Sequence, residues 1–151
     1  MALIDLLDMP SSGVLIGIDP GSKTLGLAAS DGLRLIASPV STLRRTKLAA
    51  DLNALFKIYD DRVAVGLVIG LPLNMDGSEG PRGQSTRALA RNILKDRDIP
   101  IAFQDERLSS AQAERVMVEA DLSRARRAEL IDASAASVIL QTALDRLANA
   151  S

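Results

Sequence analysis

The chain contains no histidine, no cysteine and no tryptophan, and its aromatic residues amount to 2%, namely Phe56, Tyr59 and Phe103. Without imidazole or thiol there is no Ser-His-Asp or Cys-His triad, no Cys/His zinc site and no disulfide. Catalysis must then rest on carboxylates, Lys, Arg, Ser, Thr or Tyr. So few aromatics also come close to excluding exposed stacking platforms for single-stranded nucleic acid. No apolar run approaches the roughly 18 residues of a membrane span, and the N-terminal MALIDLLDMPSSG lacks the basic start of a secretion signal. A cytoplasmic protein is the expectation.

What is present begins with Leu, Ile, Val and Ala, which dominate an apolar fraction of 47% and must form the core. A chain of 151 residues reads as one domain spanning 1–151, long enough to bury about 68–70% of its unfolded surface. Net charge is −1, yet residues 82–127 carry ten Lys or Arg against seven Asp or Glu. That segment offers a local basic surface.

Three acids stand where the burial pattern calls for apolar residues. Asp19 closes the run VLIGID, Glu106 comes just after the strand-like IPIAFQ, and Asp132 opens the Ala-rich stretch IDASAASVILQ. Carboxylates in such places cost several kcal/mol unless something neutralises them. Hard oxygen ligands select Mg²⁺ or Mn²⁺, so the trio reads as a metal site. Two such ions about 3.5–4 Å apart would activate a water and steady the leaving oxygen of a phosphodiester. The plainer alternative is an acid ending a strand, an acid paired with Arg107 or Arg82, and an acid near a helix start.

The order of elements follows from turns and periodicity. VLIGID (14–19), the turn Pro20-Gly21 and TLGLAASD (24–31) predict a hairpin, and LRLIASPVSTL a third strand. Leu48, Leu52, Leu55 and Tyr59 predict a helix over 47–59, and VAVGLVIG (63–70) a strand buried on both faces. The loop LPLNMDGSEGP leads to a helix over about 82–95, with Leu89, Ala90, Ile93 and Leu94 inward, then to strand 99–104. Ser109 and Gln112 resemble a capping box that starts a helix, and a polar, Arg-rich connection precedes a last helix over about 129–148. The sum is an α/β mixed five-stranded sheet flanked by helices.

Alternation puts Gly17 and Asp19 on one face of the first strand, with room beside the glycine for a ligand. Asp132 shares a helix stripe with Ala135, Ala136 and Ile139, and the small residues around it let that helix approach the sheet. The loop before the second helix aims N–H groups and a positive dipole end at anionic phosphate. Gly77 and Gly80 give it conformational freedom, and Asn74, Ser78 and Arg82 are donors. Lys23 in the hairpin turn either holds phosphate or faces solvent. Arg87, Arg91 and Lys95 form a flank that is basic or merely solvated, and Arg124, Arg126 and Arg127 lie in the connection before Asp132.

The blocks GIDPGSKTLGLAASD, GLPLNMDGSEGP, DERLSSAQAER and IDASAASVILQ together resemble the YqgF family over about residues 13–146. The resemblance implies a ribonuclease-H-like fold and a nuclease, described either as Holliday-junction-resolvase-like or as acting on pre-16S rRNA. It carries the metal-binding acids onto Asp19, Glu106 and Asp132. Substrate contacts are expected from Lys23, Asn74, Arg82 and Arg107. The expected function is metal-dependent processing of the 5′ end of pre-16S rRNA in ribosome biogenesis, by a monomer or weak homodimer. Its rivals are a resolvase of four-way DNA junctions, which needs a dimer, a non-catalytic ribosome-assembly factor that binds RNA, and an actin-like ATPase. The last would require two such domains.

Overall fold

The computed structural model describes residues 3–74, 76–105 and 124–150, with side chains in its last helix over 135–149. Five strands form one mixed sheet. They are β1 (Val14–Pro20), β2 (Thr24–Ser30), β3 (Ala37–Arg44), β4 (Ala64–Leu71) and β5 (Ile101–Asp105), in the spatial order β3-β2-β1-β4-β5. β1, β2 and β3 are antiparallel neighbours, whereas β4 and β5 continue the sheet parallel to β1. Helices α1 (Leu48–Asp61) and α2 (Pro81–Asp96) make the crossovers, and α3 (Arg124–Ala150) ends the fold. Ahead of β1, Leu3 bridges Ile101 and so covers part of the β5 edge.

The two faces of the sheet are separate cores. Ile16, Ile18, Leu27, Leu67, Ile69 and Ile101 pack with Leu52 and Leu55 of α1 and Leu89 and Ile93 of α2. Leu15, Ala28, Val68 and Ala102 pack with Ala136, Ile139, Leu140 and Leu144 of α3. Strand alternation therefore assigns odd-numbered residues of β1 to the α3 side and even-numbered ones to the α1/α2 side. Side chains of this size are worth about 1.5–3 kcal/mol each when buried.

Several expectations need correction. β3 starts at Ala37 because residues 33–36 curl around Asp31, whose Oδ1 accepts N–H bonds from Leu35 (2.7 Å) and Ile36 (3.0 Å). Arg34 is left-handed there (φ 60°). Val63 is likewise left-handed (φ 53°), closing α1 rather than opening β4. Leu48 is 44% exposed, and the inward position of that first turn goes to Asp51, which accepts bonds from the Thr46 amide and hydroxyl. The Arg-rich stretch is no connection: α3 already begins at Arg124, as Arg and Ala without Gly or Pro favour. The helix expected from Ser109 and Gln112 lies outside the described residues.

Candidate active site

Asp19 is half-buried near the end of the central strand, on the α3 side of the sheet, opposite Gly26 of β2. The space at Gly17 is not open to a ligand, because α3 fills it. A Cβ on Gly17 would stand 2.8 Å from Leu140 Cβ and 3.1 Å from the Ala136 carbonyl oxygen. The glycine serves close helix approach instead. Farther along, Leu144, Leu147 and Ala148 line a cleft with Ser11 and Ser12, which precede β1. α3 thus runs back over β1 in the opposite sense.

The stripe expected around Asp132 is present. Ala135, Ala136 and Ile139 are each at most 1% exposed. Asp132 belongs to α3, one helical turn before Ala136, and its side chain lies outside the described residues. Glu106 and Arg107 follow β5 and also lie outside them. Among the described residues no group of three or more acids stands together as a metal site.

The β1–β2 turn is closed by the Gly21 amide donating to the Thr24 carbonyl (2.8 Å). Lys23 is exposed on this turn, and its carbonyl accepts the Arg45 amide (2.8 Å). Two guanidiniums reach the same corner. Arg82, from the first turn of α2, donates to the Pro20 carbonyl (3.3 Å), and Arg45 donates through Nη1 to the Gly21 carbonyl (2.6 Å). Arg45 was not among the expected site residues. The pair Arg44-Arg45 right after a predicted strand was the available signal, but only the long-range register of β2 with β3 brings it to the turn.

The loop before α2 is organised around itself. Leu73 bridges Glu79, and the Asn74 amide donates to the Ser78 carbonyl (2.8 Å). Asn74 Nδ2 donates to Ser78 Oγ (3.0 Å), which donates to Asp76 (2.6 Å). Gly77 is left-handed (φ 90°) as its place in the turn requires, but Gly80 is extended (φ −102°, ψ −166°), a conformation any residue adopts. Gly80, the N-cap residue of α2, has no side chain to cap it, and Pro81 opens the helix. From that first turn the Arg82 side chain reaches the β1 corner.

Arg87 is not a free member of a basic flank. Its guanidinium grips Glu79 through two bonds (2.6 and 3.2 Å) and lies 5.0 Å over the Phe103 ring. That pairing holds the Glu79 carboxyl below its ordinary range. Arg97 similarly lies over Phe56 and Tyr59, so each of the three aromatic rings carries a guanidinium. No helix among the described residues is long and apolar enough to cross a membrane.

Comparison with known proteins gives consistent results. The family profile described as "RuvX: Holliday junction resolvase" matches residues 13–146. A protein of Paracoccus denitrificans named "Putative pre-16S rRNA nuclease" is 60% identical over 92% of this chain and 88% of its own length. A protein of Phenylobacterium zucineum with the same name is 54% identical over 99% of both. Among solved structures, RuvC of T. thermophilus in complex with a Holliday junction substrate shares the fold at a TM-score of 0.57 and 16% identity, covering 90% of this chain and 96% of that one. The fowlpox virus resolvase in its junction complex does so at 0.56 and 8%, over 89% and 98%. The mixed sheet with flanking helices is thus ribonuclease-H-like, and with the profile and the relatives agreeing over nearly the whole length, the chain belongs to the RuvX family, the YqgF family of the sequence resemblance.

Proposed function

We propose that the protein is a metal-dependent nuclease that hydrolyses phosphodiester bonds at the 5′ end of pre-16S rRNA, acting in the cytoplasm. The observation that carries this is the close seating of α3 on Gly17 beside Asp19. Position 132 lies one turn, about 6 Å, beyond Ala136, and Asp19 lies two strand residues, about 6.6 Å, beyond Gly17. Those similar steps, taken in the same direction, support a meeting of the two acids at the end of β1. Glu106 directly follows β5, whose Asp105 pairs with Leu71 at the same end of the parallel strands. Open α/β sheets commonly present their catalytic groups there.

The donor chemistry fits Mg²⁺ or Mn²⁺, since Asp19, Glu106 and Asp132 offer only hard oxygen atoms and the chain has neither His nor Cys. Held by those three, the ion would supply Lewis-acid activation of water and of the leaving oxygen. The protein's own groups do the rest. Arg82, anchored on the Pro20 carbonyl, supplies positive charge to the substrate backbone at the corner that follows Asp19. Lys23 adds a mobile charge at the turn, Arg107 a second guanidinium next to Glu106, and Asn74 steadies the loop that opens α2.

A junction resolvase is the second reading, favoured by the description of the matching profile. Both readings are tested by offering the purified protein a 16S precursor leader RNA and a four-way DNA junction with Mg²⁺, Mn²⁺ or chelator. Leader cleavage that needs metal and is lost in Asp19→Asn and Asp132→Asn is the expected result. Junction cleavage by a dimer would transfer the proposal to DNA. Cleavage of neither would favour a non-catalytic assembly factor.

A further inference from the structure

On the side of β1 away from Asp19, the β1–β2 turn and the start of α2 enclose a cleft of about 60 Å³. Arg45 and Arg82 both line it, and among the described residues no carboxylate does. Both guanidiniums are aimed by backbone carbonyls of the turn itself, Arg45 by Gly21 and Arg82 by Pro20. A guanidinium has five N–H donors, and these anchoring bonds leave most of them available. Ser22, Ser85 and Thr86 line the same wall. Two anchored cations, with no counter-charge in the wall among the described residues, make a receptor for an anion. The cleft is far smaller than the roughly 300–1,000 Å³ of pockets that take a whole ligand, which suits a single phosphate and not a nucleobase.

Its position relative to Asp19 gives the anion an identity. Pro20 directly follows Asp19 and, by strand alternation, faces the opposite side of the sheet. A nucleic-acid strand passing over the end of β1 would have one phosphate on the acid side and another at the arginine side. We propose that Arg45 and Arg82 form a clamp for a phosphate of the substrate strand that is not itself cut, setting which neighbouring phosphate reaches Asp19. The naming of the phosphate as part of a cut strand rests on the nuclease reading, whereas the anion site does not.

The test uses the Asp19→Asn protein, so that nothing is cleaved. In ¹⁵N NMR, orthophosphate should move the Nε–H resonances of Arg45 and Arg82 together and saturably, with sodium chloride at equal ionic strength having no such effect. Arg91, exposed on α2, is the control. Resonances that move no more than that of Arg91, or equally with chloride, would overturn the clamp. For leader RNA, Arg45→Gln should lower the slope of log affinity against log salt by about 0.7–0.9, the loss of one phosphate contact. Arg45→Lys should keep the slope, and thermal melts of both variants separate loss of contact from loss of fold. An unchanged slope in Arg45→Gln would reject the clamp alone. Phosphate-responsive arginines in a protein that cuts neither RNA nor junction would keep the anion site and reject the nuclease.

Discussion

Gly17 and Leu140 are in such close approach that a methyl group on the glycine would stand 2.8 Å from Leu140 Cβ. The contact sets the height of α3 above β1 and hence, on the proposed reading, the level at which Asp132 would meet Asp19. Neither atom can yield cheaply, since one is a Cβ and the next nearest, at 3.1 Å, is the Ala136 backbone oxygen.

Gly17→Ala should therefore lift α3, costing about 1–3 kcal/mol as overpacking does, and should lower cleavage by more than the loss of folded protein accounts for. Urea melts and turnover on leader RNA, corrected for the folded fraction, check this. Full activity with full stability would show that the helix height is not set here.

Gln141 ties α3 to the sheet from the other flank. Its Oε1 accepts the Ala37 amide (2.8 Å) and its Nε2 donates to the Leu35 carbonyl (3.1 Å). Replacing it with Leu leaves both groups without that partner, at about 1–3 kcal/mol for each one kept from water. Hydrogen exchange at the Ala37 amide should accelerate, whereas Leu67 in the middle of β4 should exchange only through global opening.

How much of this was legible in the sequence depends on the range of the interaction involved. The hairpin, the buried β4 and the α2 stripe rest on local turn chemistry and period, and they stand close to where the residues predict them. The face shared by Gly17 and Asp19 was legible too, because alternation is local, but what fills that face was not. It takes Ala136 and Leu140, more than a hundred positions away, to turn an apparent vacancy into a helix contact. Arg45 was hidden for the same reason. Leu48 and Val63 look apolar and inward by period alone, but a capping acid at Asp51 and a left-handed helix end displace them. Glu106, and the side chain of Asp132, belong to stretches where sequence and resemblance remain the grounds for assignment.

Acid should loosen the loop before α2. The Arg87 guanidinium holds the Glu79 carboxyl below its ordinary value, so the pair's contribution is present above the unfolded-state pKa and is lost as pH falls through the folded one. Glu79→Gln should flatten the dependence of stability on pH in that acidic window and leave neutral-pH cleavage nearly intact. Denaturant midpoints from neutral pH down to about 3 check the slope, and parallel curves for the two proteins would show that the pair contributes nothing there.

The central claim of the proposed function is that Asp19, Glu106 and Asp132 together bind divalent metal, and electron paramagnetic resonance of added Mn²⁺ measures it without any substrate. Saturable binding by the unmodified protein is expected, weakened roughly tenfold or more in each of Asp19→Asn, Glu106→Gln and Asp132→Asn, since even partners behind a metal's direct ligands are worth that much. Equal Mn²⁺ binding by all four proteins would contradict the account.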